Sequence, residues 1–202
     1  MIWKDILTVS FSGLAVFMSA YALFKNRKNL TVTLPDNLEI IAKDQIVLTN
    51  SNGDVSTLDN GFLYTLQIVN PSPNDIAYFD LRAFSPDNNL NTYALTRKAL
   101  STTFKDAKIF KYDGDESYEL EIPDKNYGVF KANSYTHLDL FILPQPHIKN
   151  NIVVSFKIAK SALLKDSFAV TNRKRYKFYS TNFDISNSTL LRISIEQDKK
   201  QQ

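Results

Sequence analysis

Apolar and polar positions alternate along most of the chain after residue 30. A period of two is typical of strands that bury one face, and in "GFLYTLQIVN" it places Phe62, Tyr64, Leu66 and Ile68 together. The same alternation recurs at Ala77/Phe79/Leu81/Ala83, Tyr118/Leu120/Ile122, Leu138/Leu140/Ile142, Ile152/Val154/Phe156/Ile158 and Leu191/Ile193/Ile195. These runs predict a series of half-buried strands.

Turn-forming segments separate the predicted strands: "NSNGD", "NPSPND", "SPDNN", "DGDE", "LPQPH" and "ISNS". Only "TRKALSTTF" and "AKSALLKDS" suit one or two helical turns. Many short strands with little helix predict an all-β fold, an antiparallel two-sheet sandwich with an Ig-like outline. We expect this domain to span residues 30–196, with a polar tail at 197–202.

The N-terminal region has a different pattern, because residues 6–24 contain no ionisable side chain. A helix of that length rises about 28 Å, close to the ~30 Å hydrocarbon core of a bilayer. The sequence therefore predicts a single transmembrane anchor at 6–24, between a short tail (1–5) and a basic juxtamembrane segment (25–29). A cleaved signal peptide, suggested by Ala20-Tyr21-Ala22, and a buried helix of a soluble domain are the alternatives. The retained anchor is favoured because the cations follow the apolar run.

The charges that flank this run predict its topology. Lys25, Arg27 and Lys28 follow it, whereas only Lys4 precedes it. The positive-inside rule then places the domain in the cytoplasm, on a single-pass protein of the cell membrane. The alternative is the extracellular face, since a signal anchor can also export a domain.

One face of the predicted helix carries only small side chains. They recur at heptad intervals, which lets a second helix approach closely. The face consists of Thr8, Ser12, Ala15, Ser19 and Ala22. It is a candidate for self-association or for packing against another protein.

Composition restricts the chemistry that the chain can carry. There is no cysteine, so disulfides, thiolate nucleophiles and cysteine-bound metals are excluded. The net charge of +3 is too small to indicate a nucleic-acid binder. Phosphate-binding and hydrolase motifs are missing, and there are only five glycines. We expect a protein that is not an enzyme, with no cofactor, metal, nucleic acid or small-molecule substrate.

Two polar groups deserve a closer test. Ser134, His137 and Asp139 have the residue types of a catalytic triad, but neighbours on one strand face lie about 7 Å apart. The sequence favours a polar stripe that faces solvent. Asp113, Asp115 and Glu116 lack the spacing of a calcium loop and predict an acidic hairpin turn around Gly114.

The basic segment "NRKRYKFY" is the main candidate for a binding surface. Alternation predicts that Tyr176 and Phe178 are buried while Arg175 and Lys177 face outward. The segment suits a strand with a basic edge, and lipid headgroups, an acidic protein and nucleic acid are the possible ligands. The candidate interaction residues are Arg173, Arg175, Lys177 and Tyr179, with Tyr78, Asp80 and Arg82 on the strand that follows the proline-rich corner.

The sequence thus predicts a membrane-anchored, non-catalytic β-sandwich that presents a protein-interaction surface. The alternatives are a structural subunit of a membrane assembly, held through its helix, and an exported adhesin-like module.

Overall fold

The computed structural model describes residues 2–25, 30–159 and 176–186. These ranges contain one helix, α1 (Ile2–Lys25), and thirteen strands. The strands are β1 (Thr31–Thr33), β2 (Glu39–Ile41), β3 (Ile46–Thr49), β4 (Val55–Thr57), β5 (Gly61–Asn70), β6 (Ile76–Phe84), β7 (Asn91–Ala94), β8 (Lys108–Asp113), β9 (Glu116–Glu119), β10 (Gly128–Phe130), β11 (Ser134–Leu143), β12 (Asn151–Ala159) and β13 (Tyr176–Asp184).

Helical turns form in one of the two segments for which the sequence predicts them. Single turns of 3-10 helix lie at Arg97–Ala99 and Thr102–Phe104, within "TRKALSTTF". Most of "AKSALLKDS", the predicted strand at Leu191/Ile193/Ile195 and the tail at 197–202 lie outside the described residues.

The predicted N-terminal helix is confirmed, and it is longer at both ends than residues 6–24. Across the part of the chain that the structure describes, no helix combines the length and the apolar character needed to cross a membrane. The predicted transmembrane span is therefore not supported. The topology inferred from Lys25, Arg27 and Lys28 stays a prediction, and the last two of these residues lie outside the described ranges.

The strands form two hydrogen-bonded sheets, so the predicted mostly-β fold is confirmed. A nine-stranded sheet has the order β1-β5-β11-β7-β6-β12-β13, with β2 beside β5 and β10 beside β6. Short strand β7 pairs with β11 through two residues and with β6 through two others. The sheet folds over at β7, which brings β5 and β11 opposite β6 and β12.

The main core lies between these two halves of the large sheet. Phe62, Tyr64, Leu66 and Ile68 of β5 are at most 1% exposed, as their alternation predicts. They share one core with the predicted apolar face of β12, which is Ile152, Val154, Phe156 and Ile158. Burial of these side chains is the principal force that holds the two halves together.

A second core was not predicted from the sequence. The small sheet, with the order β4-β3-β8-β9, packs on the other face of β5 and β11. Leu63 and Phe141 are buried there, on the faces opposite Tyr64 and Leu140. Strands β5 and β11 are consequently buried on both faces at residues 61–64 and 139–142, and the molecule has three layers of strands there, where two were expected.

An ion pair joins the small sheet to the large one. The Lys111 side chain on β8 is only 3% exposed, and its ammonium group donates to the Glu39 carboxylate on β2. Its charge also lies 5.1 Å from the Tyr118 ring centroid. Burial by itself would lower the pKa of Lys111, but hydrogen bonds to Glu39 and Tyr118, and their charges, raise it above its ordinary value.

The proline-rich corner between β5 and β6 is organised by one buried amide. The Asn70 side chain donates to the carbonyl oxygens of Asn74, Phe130 and Lys131 at 2.9, 3.1 and 2.8 Å. Its own oxygen accepts hydrogen bonds from the backbone and the hydroxyl of Ser72. The corner is thereby tied to the loop that connects β10 and β11.

The predicted apolar face of β6 is wrong in its first half. Ile76 and Tyr78 face the core, whereas Ala77 and Phe79 face outward. A β-bulge then shifts the alternation, because Asp80 and Leu81 together lie opposite the single residue Phe156. Leu81 and Ala83 therefore point inward, as predicted.

Candidate functional site

The outer face of the β10-β6-β12-β13 half carries a continuous group of aromatic and apolar side chains. Cross-strand pairs on one face of a sheet lie side by side, and Lys157 pairs with both Phe79 and Phe178. Val129 pairs with Ala77, and Ala159 pairs with Tyr176, on the same face. We name this surface the outer-face patch: Ala77, Phe79, Val129, Lys157, Ala159, Tyr176 and Phe178.

The large side chains of the outer-face patch are open to solvent. Phe79, Val129 and Phe178 are 38%, 48% and 45% exposed. Single exposed apolar side chains are common on soluble proteins, but a contiguous group that crosses four strands is characteristic of an interaction site.

The aromatic rings of the patch hold one another in position. Phe79 and Tyr176 meet edge to face, with ring centroids 6.3 Å apart and an interplanar angle of 84°. The Lys157 ammonium group lies 5.0 Å from the Tyr176 ring centroid. Such contacts restrict the side chains before any partner binds, which lowers the entropic cost of binding.

The positive charge within the patch is already neutralised. The Lys157 ammonium group donates to the Asp80 carboxylate at 2.5 Å, and the Arg82 guanidinium lies 3.7 Å from the same carboxylate. Arg82 in turn stacks over the Phe84 ring at 4.4 Å. A partner that covers the patch therefore does not leave a buried, unpaired charge at Lys157.

The bulge in β6 makes this arrangement possible. Asp80 has a φ of +55°, a left-handed conformation that Asp tolerates better than most residues. Without the extra residue, strand alternation would point Asp80 and Arg82 into the core. The bulge places both on the outer face, next to Phe79 and Lys157.

The predicted interaction residues have different positions. Asp80 and Arg82 lie on the outer face, as predicted, and both are half-buried. Tyr78 is a correction: it is only 8% exposed and stacks on Phe130, with ring centroids 4.5 Å apart. Gly128 leaves the space for this ring, since a Cβ atom there would lie 2.7 Å from the Tyr78 hydroxyl.

The predicted orientation of β13 is wrong for Phe178 and Tyr179, although Lys177 is exposed as predicted. Phe178 faces solvent, while Tyr179 faces the core side and stacks on Phe156 at 5.0 Å. The pairing of Tyr179 with Phe156, a fully buried residue of β12, sets this orientation. Lys177 is exposed, and its ammonium group lies 4.6 Å from the Tyr179 ring centroid. Arg173 and Arg175 lie outside the described residues.

The small-residue face of α1 is present and exposed. Thr8, Ser12, Ala15, Ser19 and Ala22 are all open to solvent, and the Thr8 hydroxyl donates to the Lys4 carbonyl at 2.9 Å. Large apolar side chains on the helix are exposed too, including Val9 at 71% and Phe17 at 68%.

The Ser134, His137 and Asp139 set does not form a triad. His137 Nε2 lies 2.9 Å from the Asp139 carboxylate, but the Ser134 hydroxyl donates to the Lys131 carbonyl at 2.6 Å. Asp139 is buried, which corrects the prediction that it faces solvent. It accepts hydrogen bonds from the Thr65 hydroxyl and the Glu121 backbone N–H, so it holds the segment after β9 against β11.

The predicted acidic hairpin is confirmed. Asp113 pairs with Glu116 across a turn in which Gly114 has a φ of +62°. Within the described residues, no group of three or more His, Asp or Glu side chains is arranged to hold a metal ion.

Sequence reasoning missed Phe79, Val129 and Phe178 as exposed residues. The sequence "YFD" in β6 signals this ambiguity. Two aromatic residues stand next to each other before an aspartate, so either ring could face the core. Alternation alone does not choose between the two parities. Only the strand register, which depends on β12, determines which ring faces outward.

Comparisons with known proteins give one weak structural likeness. No protein-family model matches the sequence, and no curated protein sequence matches it either. Among solved structures, the ASH/PapD-like domain 7 of human CEP192 is similar, with a TM-score of 0.33 and 5% sequence identity. The alignment covers 79% of this chain and 84% of that chain. A likeness this weak carries no argument about function.

Proposed function

We propose that this chain is a non-catalytic module that binds a protein partner through the outer-face patch. The observation that carries the proposal is the exposure of Phe79 and Phe178 on either side of a charge-neutralised lysine. Aromatic side chains dominate the binding energy of many protein interfaces, because they bury a large apolar area with few rotatable bonds.

The charge arrangement indicates what kind of partner surface fits. Lys157 is already paired with Asp80, and because Arg82 shares this carboxylate, a partner meets one net positive charge beside the rings. It gains most from an apolar surface that covers the two phenylalanine rings and excludes water. A protein surface with a small apolar centre and a polar rim has these properties.

Site-specific photo-crosslinking tests the proposal in cells. A photoreactive amino acid in place of Phe178 is expected to capture a protein that the same group in place of Tyr135 does not. Tyr135 is a matched control, because it is an aromatic strand residue that is 58% exposed outside the patch.

The captured protein is then purified and titrated against the intact chain and its variants. Phe79→Ser with Phe178→Ser is expected to weaken binding at least about tenfold, whereas Tyr135→Ser leaves it within about twofold. Equal capture from positions 178 and 135, or an unchanged affinity of the double variant, contradicts the proposal.

A second candidate function rests on α1. Its exposed apolar side chains would be costly to leave in water along a helix of 24 residues. In this alternative the chain is a structural subunit of an assembly, which packs another helix against the face of Ser12, Ala15 and Ser19.

Leucine substitutions separate the two candidates. Replacing Ser12, Ala15 and Ser19 together by Leu blocks close approach of a second helix, but does not alter the outer-face patch. Loss of the assembly, measured by native mass, supports the helix-based function. The patch-based function is supported if the leucine variant keeps its assembly and the Phe79→Ser variant loses crosslinking at position 178.

A further inference from the structure

The outer-face patch borders on a polar row of residues on the same three strands. Arg82 on β6 pairs with Ser155 on β12, and Ser155 pairs with Ser180 on β13. This row lies two residues along β12 from Lys157, whose own row carries the two exposed phenylalanines. Residues two apart on one strand face lie about 7 Å from each other. A partner that covers the rings therefore also reaches Arg82.

Among the described residues, the Arg82 guanidinium has to share its carboxylate partner. Asp80 lies 3.7 Å from Arg82 Nε and already accepts a hydrogen bond from the Lys157 ammonium group at 2.5 Å. The terminal nitrogens of Arg82 donate to neutral amide oxygens, at 3.2 Å to Asn91 and at 3.5 Å to Asn89. Two cations thus share one carboxylate, and one positive charge is in excess beside the patch.

The other charged side chains of the described strands do not balance this excess. Asp75 and Lys131, near β10, form a pair of their own at 3.4 Å. Asp184 is the last residue of β13, where its carboxylate accepts from the Ser186 N–H. Lys177 adds no negative charge. The excess positive charge therefore stays local to the guanidinium group.

A hydroxyl group beside Arg82 also lacks a hydrogen-bond partner. Ser155 is 1% exposed, and its Oγ atom makes no hydrogen bond with any described residue. It shares the outer face with Lys157, because Val154 and Phe156 belong to the core. The Nε atom of Arg82 is likewise buried without a hydrogen bond within the described ranges. Since most buried polar atoms in proteins are hydrogen-bonded, these two atoms favour an acceptor oxygen next to them.

We infer that the partner of the outer-face patch places the carboxylate of an Asp or Glu side chain on Arg82, next to the apolar group that covers the phenylalanine rings. This assignment rests on the proposed function, because it concerns the same partner. A hydrogen bond between guanidinium and carboxylate is roughly twice as strong as one between neutral groups. A carboxylate therefore displaces the long bonds to Asn89 and Asn91.

The size of the excess charge favours a carboxylate over a phosphate. One positive charge is unbalanced, and a carboxylate supplies one negative charge. A phosphoryl group carries about −1.5 to −2 at neutral pH, which would leave negative charge uncompensated beside Asp80. The two-residue step between the rows also matches alternate side chains of an extended segment, one apolar and one acidic.

Peptide titrations test the inference on the full chain. Three acetylated and amidated peptides carry Leu at two alternate positions and Asp, Asn or phosphoserine at the next alternate position, with Ser between them. These three side chains share one face when the peptide is extended. NMR shifts of the patch amides report binding. The Asp peptide should bind at least about threefold more tightly than the Asn peptide, and this preference should shrink between about 0.05 and 0.5 M salt.

Variants assign the preference to one side chain. Arg82→Gln should abolish the preference for the Asp peptide, whereas Arg82→Lys, which keeps the charge, should retain part of it. Lys131→Gln is the control, because Lys131 is paired with Asp75 and should not contribute. Phe79→Ser with Phe178→Ser should weaken the Asp and Asn peptides alike, since both depend on the rings.

The outcomes separate this inference from the proposed function. Equal affinities of the Asp and Asn peptides, both weakened by the phenylalanine variant, overturn the inference and leave the proposed function intact. A preference for Asp that persists in Arg82→Gln does the same. Tightest binding of the phosphoserine peptide overturns it in favour of a phosphorylated partner. If no peptide shifts the patch amides, the inference is also overturned, and crosslinking from position 178 then decides the proposed function independently.

Discussion

The side-chain amide of Asn70 donates a hydrogen bond to the backbone carbonyl of Phe130, 60 residues away in the sequence, at 3.1 Å. Two further carbonyl oxygens accept from the same amide nitrogen, and the residue is only 1% exposed. One short side chain therefore satisfies three backbone carbonyl oxygens at this corner.

Asn70→Ala is expected to lower the free energy of unfolding by about 2 to 4 kcal/mol, because buried carbonyls lose their donor. Chemical denaturation measures the loss. Asn37→Ala, at an exposed loop position, is the control and should stay within about 0.5 kcal/mol of the original protein. Similar values for the two variants would show that the corner does not depend on Asn70.

Asp80 combines a left-handed backbone with an ion pair, and two variants separate these contributions. Asp80→Ala loses the contact to Lys157 and keeps an unfavourable φ, so we expect a loss of about 1 to 2 kcal/mol. Asp80→Gly loses the same contact but relieves the backbone, and should be more stable than Asp80→Ala by about 1 kcal/mol. Thermal unfolding of both variants gives the comparison, and the reverse order would argue against the bulge.

Lys111 stabilises the protein up to alkaline pH, where its contribution is lost. Its pKa is raised in the folded state, so its contribution is complete below the unfolded pKa and is lost as pH rises through the folded pKa. Burial raises the pKa values of Tyr64 and Tyr78, which act in the same direction.

Denaturation between about pH 9 and 12 tests this expectation, since Lys titrates near 10.4 when unperturbed. Lys111→Met should flatten part of the alkaline decline. Lys108→Met is the matched control on the same strand, because the Lys108 side chain is 68% exposed and should change little. An equal pH profile for the two variants would exclude Lys111 as the source.

Gly61 permits the close approach of β5 and β11. A Cβ atom there would lie 2.4 Å from Phe141 Cζ and 2.9 Å from the Ile142 carbonyl oxygen. Gly61→Ala should cost about 1 to 3 kcal/mol, because a fully buried ring and a backbone atom would both have to move.

Gly13→Ala provides the comparison for Gly61→Ala. Apart from the adjacent residues and the backbone of the helix itself, no described atom lies within 4 Å of a Cβ at this position, so the substitution should be neutral or slightly stabilising. Circular dichroism during thermal unfolding measures both variants. A neutral Gly61→Ala would show that Phe141 has room to shift.

Much of the fold follows from local alternation. The faces of β5 and β12 were predictable, because one apolar residue at every second position leaves a single orientation. The second core was not predictable, because Leu63 and Phe141 are each a single apolar residue on the strand face that the alternation predicts to be outside the core. Their burial depends on the small sheet, whose position is a long-range property.

The candidate site was predictable only in part. Asp80 and Arg82 were identified on the correct strand, but Phe79 was assigned to the core and Tyr78 to the surface. The sequence of each strand there allows either alternate set of residues to face the core. In β6 the bulge switches the core-facing set from one to the other within a single strand. Nothing in the local sequence states which parity applies on each side of Asp80.

The small sheet that covers β5 and β11 also determines the directions from which the domain can be approached. The small sheet shields one broad side of the sandwich around Leu63 and Phe141, whereas Phe79 and Phe178 stay exposed on the side formed by β6, β12 and β13. Partners that dock there would all arrive from a single hemisphere. The domain would thus impose a defined polarity on any complex that it joins.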